Sequence, residues 1–421
     1  MADQLLWLIG IDWATSEHEA CLMDRDRQAC QYCTVRHTAE GLAAFVDWIL
    51  QQAGGDPREI GVAIETPHGA LVETLVERGF PVFAINPKQL DRFRDRHTAA
   101  GAKDDRRDAL VLADSLRTDR PAFRRVRVDD PRIIHLRALS RLEDDLQADL
   151  SRVTNRIREQ VYRVAPTLLT LCPAADEPWF WTLVELAPTP EQQHRLATRQ
   201  IERLLVRHRI RRLNAPAVRN TLQQPAVRVA RGVAEAVISQ LRCTIPQARL
   251  LHEQRRDCAA QIERLLNALA ADDAENPAEH PREHRDVTLL RSLPGVGQQI
   301  TATMLAEASQ PLNDRDCDTL RTYSGAAPVT KRSGRRQHVV IMRYACNPRL
   351  RDALYHWSLG SIKTDPASRA YYDMLRARGH HHGRALRSVG DRWLRILVAM
   401  LRDRTLYDPT RFSLRQVVAV A

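Results

Sequence analysis

The first 125 residues alternate strand-like and helix-like segments, and this order constrains the fold more than any other feature of the chain. Three apolar, strand-like segments come first, LLWLIGIDWA, HEACLMD and CQYCTVRH, and the helical pattern TAEGLAAFVDWILQQAG follows them. Strand patterns at EIGVAIETP and PVFAINP then alternate with helical patterns at GALVETLVERG and KDDRRDALVLADSLR. The order β-β-β-α-β-α-β-α predicts an α/β domain with a mixed sheet over residues 1–125.

Residues 126–284 carry no strand signal. Apolar residues recur at spacings of three and four from Leu139 to Val164 and again from Val237 to Leu269. This spacing predicts two long helices of coiled-coil or bundle type, which form an antiparallel hairpin or an oligomer interface. Pro246 predicts a break in the second helix, and the acidic, proline-containing stretch 271–284 predicts a linker.

Residues 285–421 are predicted to form a mostly helical, basic domain. The whole chain has a formal charge of +11, and residues 319–405 contain 18 Lys or Arg against 5 Asp or Glu, a local balance of +13. The C-terminal third therefore carries the entire excess. A localised basic surface of this kind is typical of proteins that bind nucleic acid.

The sequence indicates in which compartment the protein is expected. No apolar stretch approaches the roughly 20 residues that span a bilayer, and the N-terminus has acidic Asp3 where a secretory signal has basic residues. Eight cysteines scattered over 421 residues are too sparse for a disulfide scaffold. We therefore expect a cytoplasmic protein with reduced thiols and no membrane partner.

Four acidic residues stand where the predicted elements could bring them together. Asp12 and Glu65 end two buried strands, while Asp105 and Asp108 lie three apart near a helix start and share one face. Clustered carboxylates repel one another unless a cation neutralises them, and Mg²⁺ prefers such oxygens. Two ions about 4 Å apart would suit phosphoryl transfer. The alternative is that Asp105 and Asp108 only stabilise the start of a helix through its dipole, and that Asp12 and Glu65 are ordinary strand-end residues. Asp104 is a rival to Asp105.

The segment LLRSLPGVGQQITATMLAEA predicts two helices joined by a tight turn, a helix-hairpin-helix. Gly295 and Gly297 would let the turn backbone approach a phosphate, and the amides that begin the second helix would favour the anion. Contacts of this type bind the nucleic-acid backbone without reading its sequence. The alternative is an ordinary helical turn with glycine at a cap.

Ser333 lies in TYSGAAPVTKRSGRRQHVV, in a predicted loop or hairpin tip. Its cationic neighbours would hold a scissile phosphate and stabilise the charge that develops on it while the hydroxyl acts as nucleophile. These neighbours are Lys331, Arg332, Arg335 and Arg336. The alternative is a Ser-Gly turn in a solvated basic loop.

The segments LIGIDWA, AIETPHG, AINPKQLDRFRDRH and GAKDDRRDALVLADSLR resemble the RuvC-like, RNase H-fold domain of the DEDD-type insertion-sequence transposases, the IS one-ten family. The resemblance implies that Asp12, Glu65, Asp105 and Asp108 bind Mg²⁺. YSGAAP, the following Ser-Gly and NPRLRDALYHWS resemble the second block of that family, which implies that Ser333 becomes joined to DNA. Two departures are Arg332, where many relatives have Ser or Thr, and RYACNPRLR, which replaces a Lys-Arg-Gly-Asn run.

The sequence thus predicts a DNA transposase or recombinase of the serine-plus-DEDD type that cleaves and exchanges strands of donor and target DNA. The resemblance further implies a dimer or tetramer and a non-coding bridge RNA that selects the DNA. One alternative is a hydrolytic, structure-selective nuclease of the Holliday-junction resolvase type, in which the four acids activate water and Ser333 is a bystander. A second is a non-enzymatic DNA-binding scaffold.

Overall fold

The computed structural model describes residues 5–27, 29–85, 87–97, 104–127, 129–225, 227, 229–271, 286–333 and 336–410. The chain divides into two compact units, Met1–Asp129 and Asp130–Ala421. The predicted linker at 271–284 lies outside the described residues except for its first position. No helix within the described ranges combines the length and apolar character needed to cross a bilayer.

The first unit is built on a six-stranded mixed sheet with the strand order β3-β2-β1-β4-β5-β6. Strand β1 pairs antiparallel with β2 and parallel with β4, and β5 pairs parallel with β4. The strands are β1 Trp7–Asp12, β2 Glu17–Asp24, β3 Cys30–Arg36, β4 Ile60–Ile64, β5 Val82–Ala84 and β6 Arg124–Arg125. This confirms the predicted mixed α/β domain, which is consistent with an RNase H-like fold.

Helices cover both faces of this sheet. Ile9 and Ile11 of β1 point to one face, where they share a core with helices α1 and α2, while Leu8 points to the other face, against α4. The alternation follows from the two-residue period of a strand. The helices are α1 Ala39–Ala53, α2 Ala70–Glu77, α3 Pro87–His97 and α4 Asp105–Thr118. Neither α3 nor the short strand β6 is predicted from the sequence.

Two long helices, α5 Pro131–Val164 and α10 Arg231–Ala271, pack antiparallel in the second unit. Leu136 near the start of α5 shares a core with Leu266 near the end of α10, whereas Val161 near the end of α5 shares a second core with Val237. The two predicted apolar seams therefore meet within one chain. Between them, the described residues form the short helices α6 Pro178–Leu186, α7 Pro190–Arg195, α8 Thr198–Arg207 and α9 Ala215–Leu222.

The predicted break at Pro246 is wrong, because α10 continues through this residue. A proline inside a helix removes one hydrogen bond and usually kinks or ends it. Here Ile245 and Ala248 on either side of Pro246 are fully buried against the second core, and this packing outweighs the lost bond. Leu142 and Leu250, which belong to the apolar spacing, are about half exposed and lie off the seam.

Among the described residues from 286 onward, the regular elements are helices apart from one β-hairpin, which confirms a mostly helical chain. The helices are α11 Asp286–Ser292, α12 Gln298–Glu307, α13 Ser309–Asn313, α14 Cys317–Tyr323, α15 Pro348–Thr364, α16 Pro366–Ala377 and α17 His382–Asp403. The hairpin strands are β7 Val329–Ser333 and β8 Arg336–Ile341. Trp357 of α15 stacks on Trp393 of α17, with ring centroids 5.8 Å apart, and both rings are buried.

Candidate functional site

A close approach between β1 and α4 positions the first two acids. Gly10 lies so near α4 that a methyl group built on it would be 2.0 Å from the carbonyl oxygen of Ala109 and 2.5 Å from the amide of Ala113. Only glycine permits this contact. By strand alternation Asp12 lies on the same face as Gly10. Asp12, the last residue of β1, is thereby turned toward the first turn of α4, which carries Asp108.

The other predicted acids surround this point. Glu65 directly follows β4, which pairs with β1, so both strands deliver an acid at the same edge of the sheet. Asp105 is the first residue of α4 and is exposed. Asp104 is the N-cap of α4, where its Oδ1 accepts a hydrogen bond of 3.2 Å from the amide of Arg106. Asp104 therefore has a capping role that Asp105 does not share.

The pKa of Asp12 reflects the charges of the acids around it. Burial, followed by the negative charges of Asp108 and Asp105, raises the pKa of Asp12 from its ordinary value near 3.8 to about 6. Glu65 adds to the rise and Arg94 opposes it. The negative charges around an ionised Asp12 thus outweigh the positive charge of Arg94. Hard divalent cations such as Mg²⁺ bind carboxylate oxygens, so both the donor set and its charge fit such an ion.

Asp108 is paired with an arginine that the sequence reasoning missed. Arg94 of α3 donates from Nε to Oδ1 of Asp108 at 2.8 Å and from a terminal nitrogen to Oδ2 at 2.9 Å. Asp108 is buried and Arg94 partly so. Within the described residues, no three of the four predicted acids bring carboxylate oxygens within 4.8 Å of one another. The charges of Asp108, Asp105 and Glu65 all raise the pKa of Asp12, and Arg94 neutralises Asp108.

A fifth acid, Glu19 of β2, lies beside the cluster. Glu19 is the register partner of Asp12 and lines a shallow hollow together with Asp104, Asp105 and Arg106. Its Oε1 accepts a hydrogen bond of 2.6 Å from Thr34, while its buried Oε2 lies 3.6 Å from Nε of Arg106. No local pattern indicates Glu19, because it lies opposite Asp12 only through the β1–β2 register, which leaves residues 13–18 between the two.

In the second unit, the two glycines of the predicted helix-hairpin-helix turn have different surroundings. Gly295 has φ +77° and packs against α15, where an added methyl group would be 2.4 Å from the amide nitrogen of Ser361. Gly297 is exposed, precedes α12, and has no atom within 4 Å of the position of a methyl group. Packing against α15 therefore explains why a glycine is needed at position 295, whereas the surface at Gly297 is open to a ligand.

Ser333 is the last residue of β7 and pairs with Arg336, the first residue of β8, across the end of the hairpin. The strand register is irregular between Lys331 and Ser333, as at a β-bulge, which bends a strand locally. Lys331 and Arg332 lie on β7, and Arg335 lies outside the described residues. The structure describes only the backbone of four of these residues: Lys331, Arg332, Ser333 and Arg336.

Comparison with known proteins gives two matches to family models. The transposase model of the IS110 DEDD type matches residues 9–166, and the model of the transposase IS116/IS110/IS902 family matches residues 287–373. The first match contains the acid cluster. The second contains the Gly295–Gly297 turn and the hairpin with Ser333.

Individual relatives extend these matches. The "Mini-circle putative transposase for IS117" of Streptomyces coelicolor is 31% identical over 421 residues, which cover 97% of this chain and 97% of the relative. The "Putative transposase y4uE" of Sinorhizobium fredii is 49% identical over 217 residues, 51% of this chain and 60% of that protein. The 43.6 kDa protein of insertion element IS110 from Streptomyces coelicolor is 31% identical over 73% of this chain and 72% of its own length.

Proposed function

The chain belongs to the IS110 family of transposases and is a DNA transposase, and from this premise we propose how its residues carry out the reaction. Asp12, Glu65, Asp105 and Asp108 form the divalent-metal site, with Mg²⁺ as the ion. Ser333 is the nucleophile toward DNA. The observation that carries the proposal is the approach of β1 to α4 at Gly10, which turns Asp12 toward Asp108 and raises the pKa of Asp12 to about 6.

Each part of the site has a separate task. When bound, Mg²⁺ would stabilise the charge on the attacking and leaving oxygens of a phosphodiester. The chain's own cations, Lys331, Arg332, Arg335 and Arg336, would hold the scissile phosphate beside Ser333. Neither part suffices alone, because a serine hydroxyl is a weak nucleophile and the acid cluster contains no nucleophilic hydroxyl. Strand exchange therefore requires both the metal site and Ser333.

The exchange then has two balanced steps. The Ser333 oxygen forms a bond to phosphorus, the bond from phosphorus to a deoxyribose oxygen breaks, the serine proton is lost, and the released oxygen gains a proton as a hydroxyl. In the second step a hydroxyl of another strand attacks the phosphoserine. This restores the serine and leaves a new phosphodiester, so no net hydrolysis occurs.

The partners follow from the same scheme. Exchange of several strands needs more than one serine, so we assign a dimer or tetramer of this chain acting on donor and target DNA in the cytoplasm. A bridge RNA selects the DNA, and the basic surface of residues 319–405 supplies positive charge for it. Residues 1–125 supply the metal site, 126–284 the helical oligomerisation region, and 285–421 the serine domain with its phosphate-binding turn at Gly295 and Gly297.

The test uses the full chain, Mg²⁺ and duplex DNA carrying the ends of the element. We expect a protein–DNA adduct that survives denaturation, disappears in Ser333→Ala and in EDTA, and persists in the control Ser239→Ala, which alters an exposed serine on α10. If Ser333→Ala still cuts DNA at the wild-type rate, the hydrolytic resolvase-type nuclease replaces this proposal. If Asp12→Ala changes neither cleavage nor metal binding, the metal site is elsewhere.

A further inference from the structure

A groove of about 360 Å³ lies at the foot of the β7–β8 hairpin in the second unit. Its wall is formed by the end of β8 and the residues after it, Ile341 to Arg343, and by the first half of α17. Ile341 pairs with Val329 at the base of the hairpin whose other end carries Ser333. The groove therefore shares one β-hairpin with the proposed nucleophile.

The charge of this groove is strongly positive. Among the described residues that line it are four arginines, Arg321, Arg343, Arg384 and Arg387, and one acid, Asp391. Asp391 is already bound by Arg321 and also by Arg395, which lies 3.3 Å from it. Asp391 thus pairs with two arginines. It does not neutralise the other three arginines of the groove, Arg343, Arg384 and Arg387.

None of the three remaining arginines forms an ion pair with an acid within the described part of the chain. Nε of Arg343 donates to the carbonyl oxygen of Ala327 at 3.2 Å, and a terminal nitrogen of Arg387 lies 3.1 Å from the sulfur of Met342. Burial and the charge of Arg384 lower the pKa of Arg387. His380 also lines the groove, and its buried Nδ1 has no hydrogen-bond partner among the described residues.

We propose that this groove binds the phosphodiester backbone of a nucleic-acid strand through Arg343, Arg384 and Arg387. Guanidinium groups bind phosphate oxygens with two parallel hydrogen bonds, and a polyanion supplies several adjacent charges to an open groove. The inference rests on the proposed function, for which it adds a positioning site: the strand held here runs beside the hairpin that presents Ser333. The three arginines hold the strand and take no part in bond making.

Binding is measured without chemistry, so that failure here is distinguishable from failure of the serine mechanism. Ser333→Ala protein in EDTA is titrated against labelled double-stranded DNA and, separately, double-stranded RNA of the same sequence, by fluorescence anisotropy at several salt concentrations. The test variant adds Arg384→Gln and Arg387→Gln. The control adds Arg351→Gln and Arg369→Gln, which remove the same charge from surface arginines that pair with Asp352 and Asp373 outside the groove.

We expect the test variant to bind at least one duplex about 10-fold or more weakly than the control, with the salt slope of log K reduced by about 2. A loss for DNA alone assigns the groove to substrate, and a loss for RNA alone assigns it to a guide. Equal affinities of the test and control variants for both duplexes overturn the proposal.

The melting temperature separates binding from folding. Removal of two cations that repel each other should leave the melting temperature of the test variant unchanged or higher. If it falls, the variant with Arg384→Lys and Arg387→Lys decides, because lysine retains the charge that attracts phosphate but not the paired hydrogen bonds. Binding stronger than that of the glutamine variant supports the groove, and binding as weak as that of the glutamine variant overturns it.

Discussion

Arg94 and Asp108 form a bidentate ion pair that joins helix α3 to helix α4, with Nε 2.8 Å from Oδ1 and a terminal nitrogen 2.9 Å from Oδ2. The same guanidinium also binds Asp91 at 2.7 Å. Both oxygens of a proposed metal ligand are therefore engaged by an internal cation. A divalent ion that binds Asp108 must compete with Arg94, so we expect this arginine to lower the affinity of the proposed site for metal.

We expect Arg94→Gln to bind metal more tightly than the wild type. Without the guanidinium, Asp108 becomes an unpaired buried carboxylate, and the free energy of unfolding of the metal-free protein should fall by roughly 1 to 3 kcal/mol. Mn²⁺ should then raise the melting temperature of the variant more than that of the wild type. Calorimetric titration with Mn²⁺ measures the affinity directly.

Arg117→Gln is a matched control for this prediction. Arg117 binds Asp114 further along α4, and the side-chain exposures of that pair, 26% and 10%, equal those of Arg94 and Asp108. The control should lose stability as well but leave the Mn²⁺ affinity unchanged. If Arg94→Gln binds Mn²⁺ no more tightly than the control, Asp108 is not a metal ligand.

Asp12→Asn should stabilise the metal-free protein. At neutral pH Asp12 is ionised although burial and nearby acids raise its pKa to about 6, so the charge opposes folding. Allowing for partial exposure, its removal should add about 1 to 2 kcal/mol to the free energy of unfolding in EDTA at pH 7. Stabilisation by Mn²⁺ and adduct formation should both be lost. Chemical denaturation with and without Mn²⁺ provides the measurement.

The control for Asp12 is Asp114→Asn, which removes a carboxylate that Arg117 binds at 2.7 Å. That change should destabilise the protein, because the arginine loses its partner. Equal destabilisation by the two asparagine variants would show that Asp12 is neutralised in the fold, and the metal-site argument would lose its main support.

The first unit was predictable from sequence to the extent that local periodicity determines it. The three N-terminal strands, α1 and the strand ends at Asp12 and Glu65 follow from apolar alternation and helical spacing. Helix α3 was missed because PKQLDRFRDRH is polar with few apolar positions, so its pairing of Arg94 with Asp108 has no periodic signal. Contacts between charged groups on separate elements depend on tertiary packing.

In the second unit, local sequence rules predict the helices but not the contacts between distant residues. The apolar spacing of α5 and α10 predicted both helices, but a local rule placed a break at Pro246 where buried neighbours keep the helix continuous. The sequence of the turn predicts that both glycines allow a phosphate to approach the backbone. The close packing of Gly295 against Ser361 depends on α15, more than 60 residues later in the chain, and no local pattern encodes it.

The two turn glycines should therefore respond differently to alanine. Gly295→Ala places a methyl group against the backbone of α15 at positive φ and should lower the free energy of unfolding by roughly 2 to 5 kcal/mol. Gly297→Ala meets no atom within 4 Å and should leave stability nearly unchanged while weakening DNA binding. Unfolding curves and anisotropy titrations check both. Unchanged DNA affinity in Gly297→Ala would remove Gly297 from the phosphate site.

Glu307 of α12 gives a prediction about pH. Its carboxylate accepts hydrogen bonds from Arg141 of α5 at 2.7 and 3.1 Å and from Asn347, the N-cap of α15, at 2.9 Å. Burial alone would raise the pKa of Glu307, but these donors outweigh burial and hold its pKa below the ordinary value of 4.5. The ionised form therefore stabilises the fold at neutral pH, and this stabilisation is lost as the pH falls below about 4.5 through the lowered pKa.

Glu307→Gln should lower the free energy of unfolding at pH 7 by about 1 to 3 kcal/mol, because one buried charge-assisted contact to Arg141 is weakened. The deficit should shrink as the pH is lowered through the titration of Glu307, since the wild type then carries a neutral side chain too. Glu263→Gln is the control: Glu263 is 44% exposed and pairs with Arg291, so its loss should cost about 0 to 1 kcal/mol. Urea unfolding at several pH values between 3 and 7 measures both variants. A deficit in Glu307→Gln that is independent of pH would mean that the contact acts through shape and hydrogen bonding, without a contribution from the charge of Glu307.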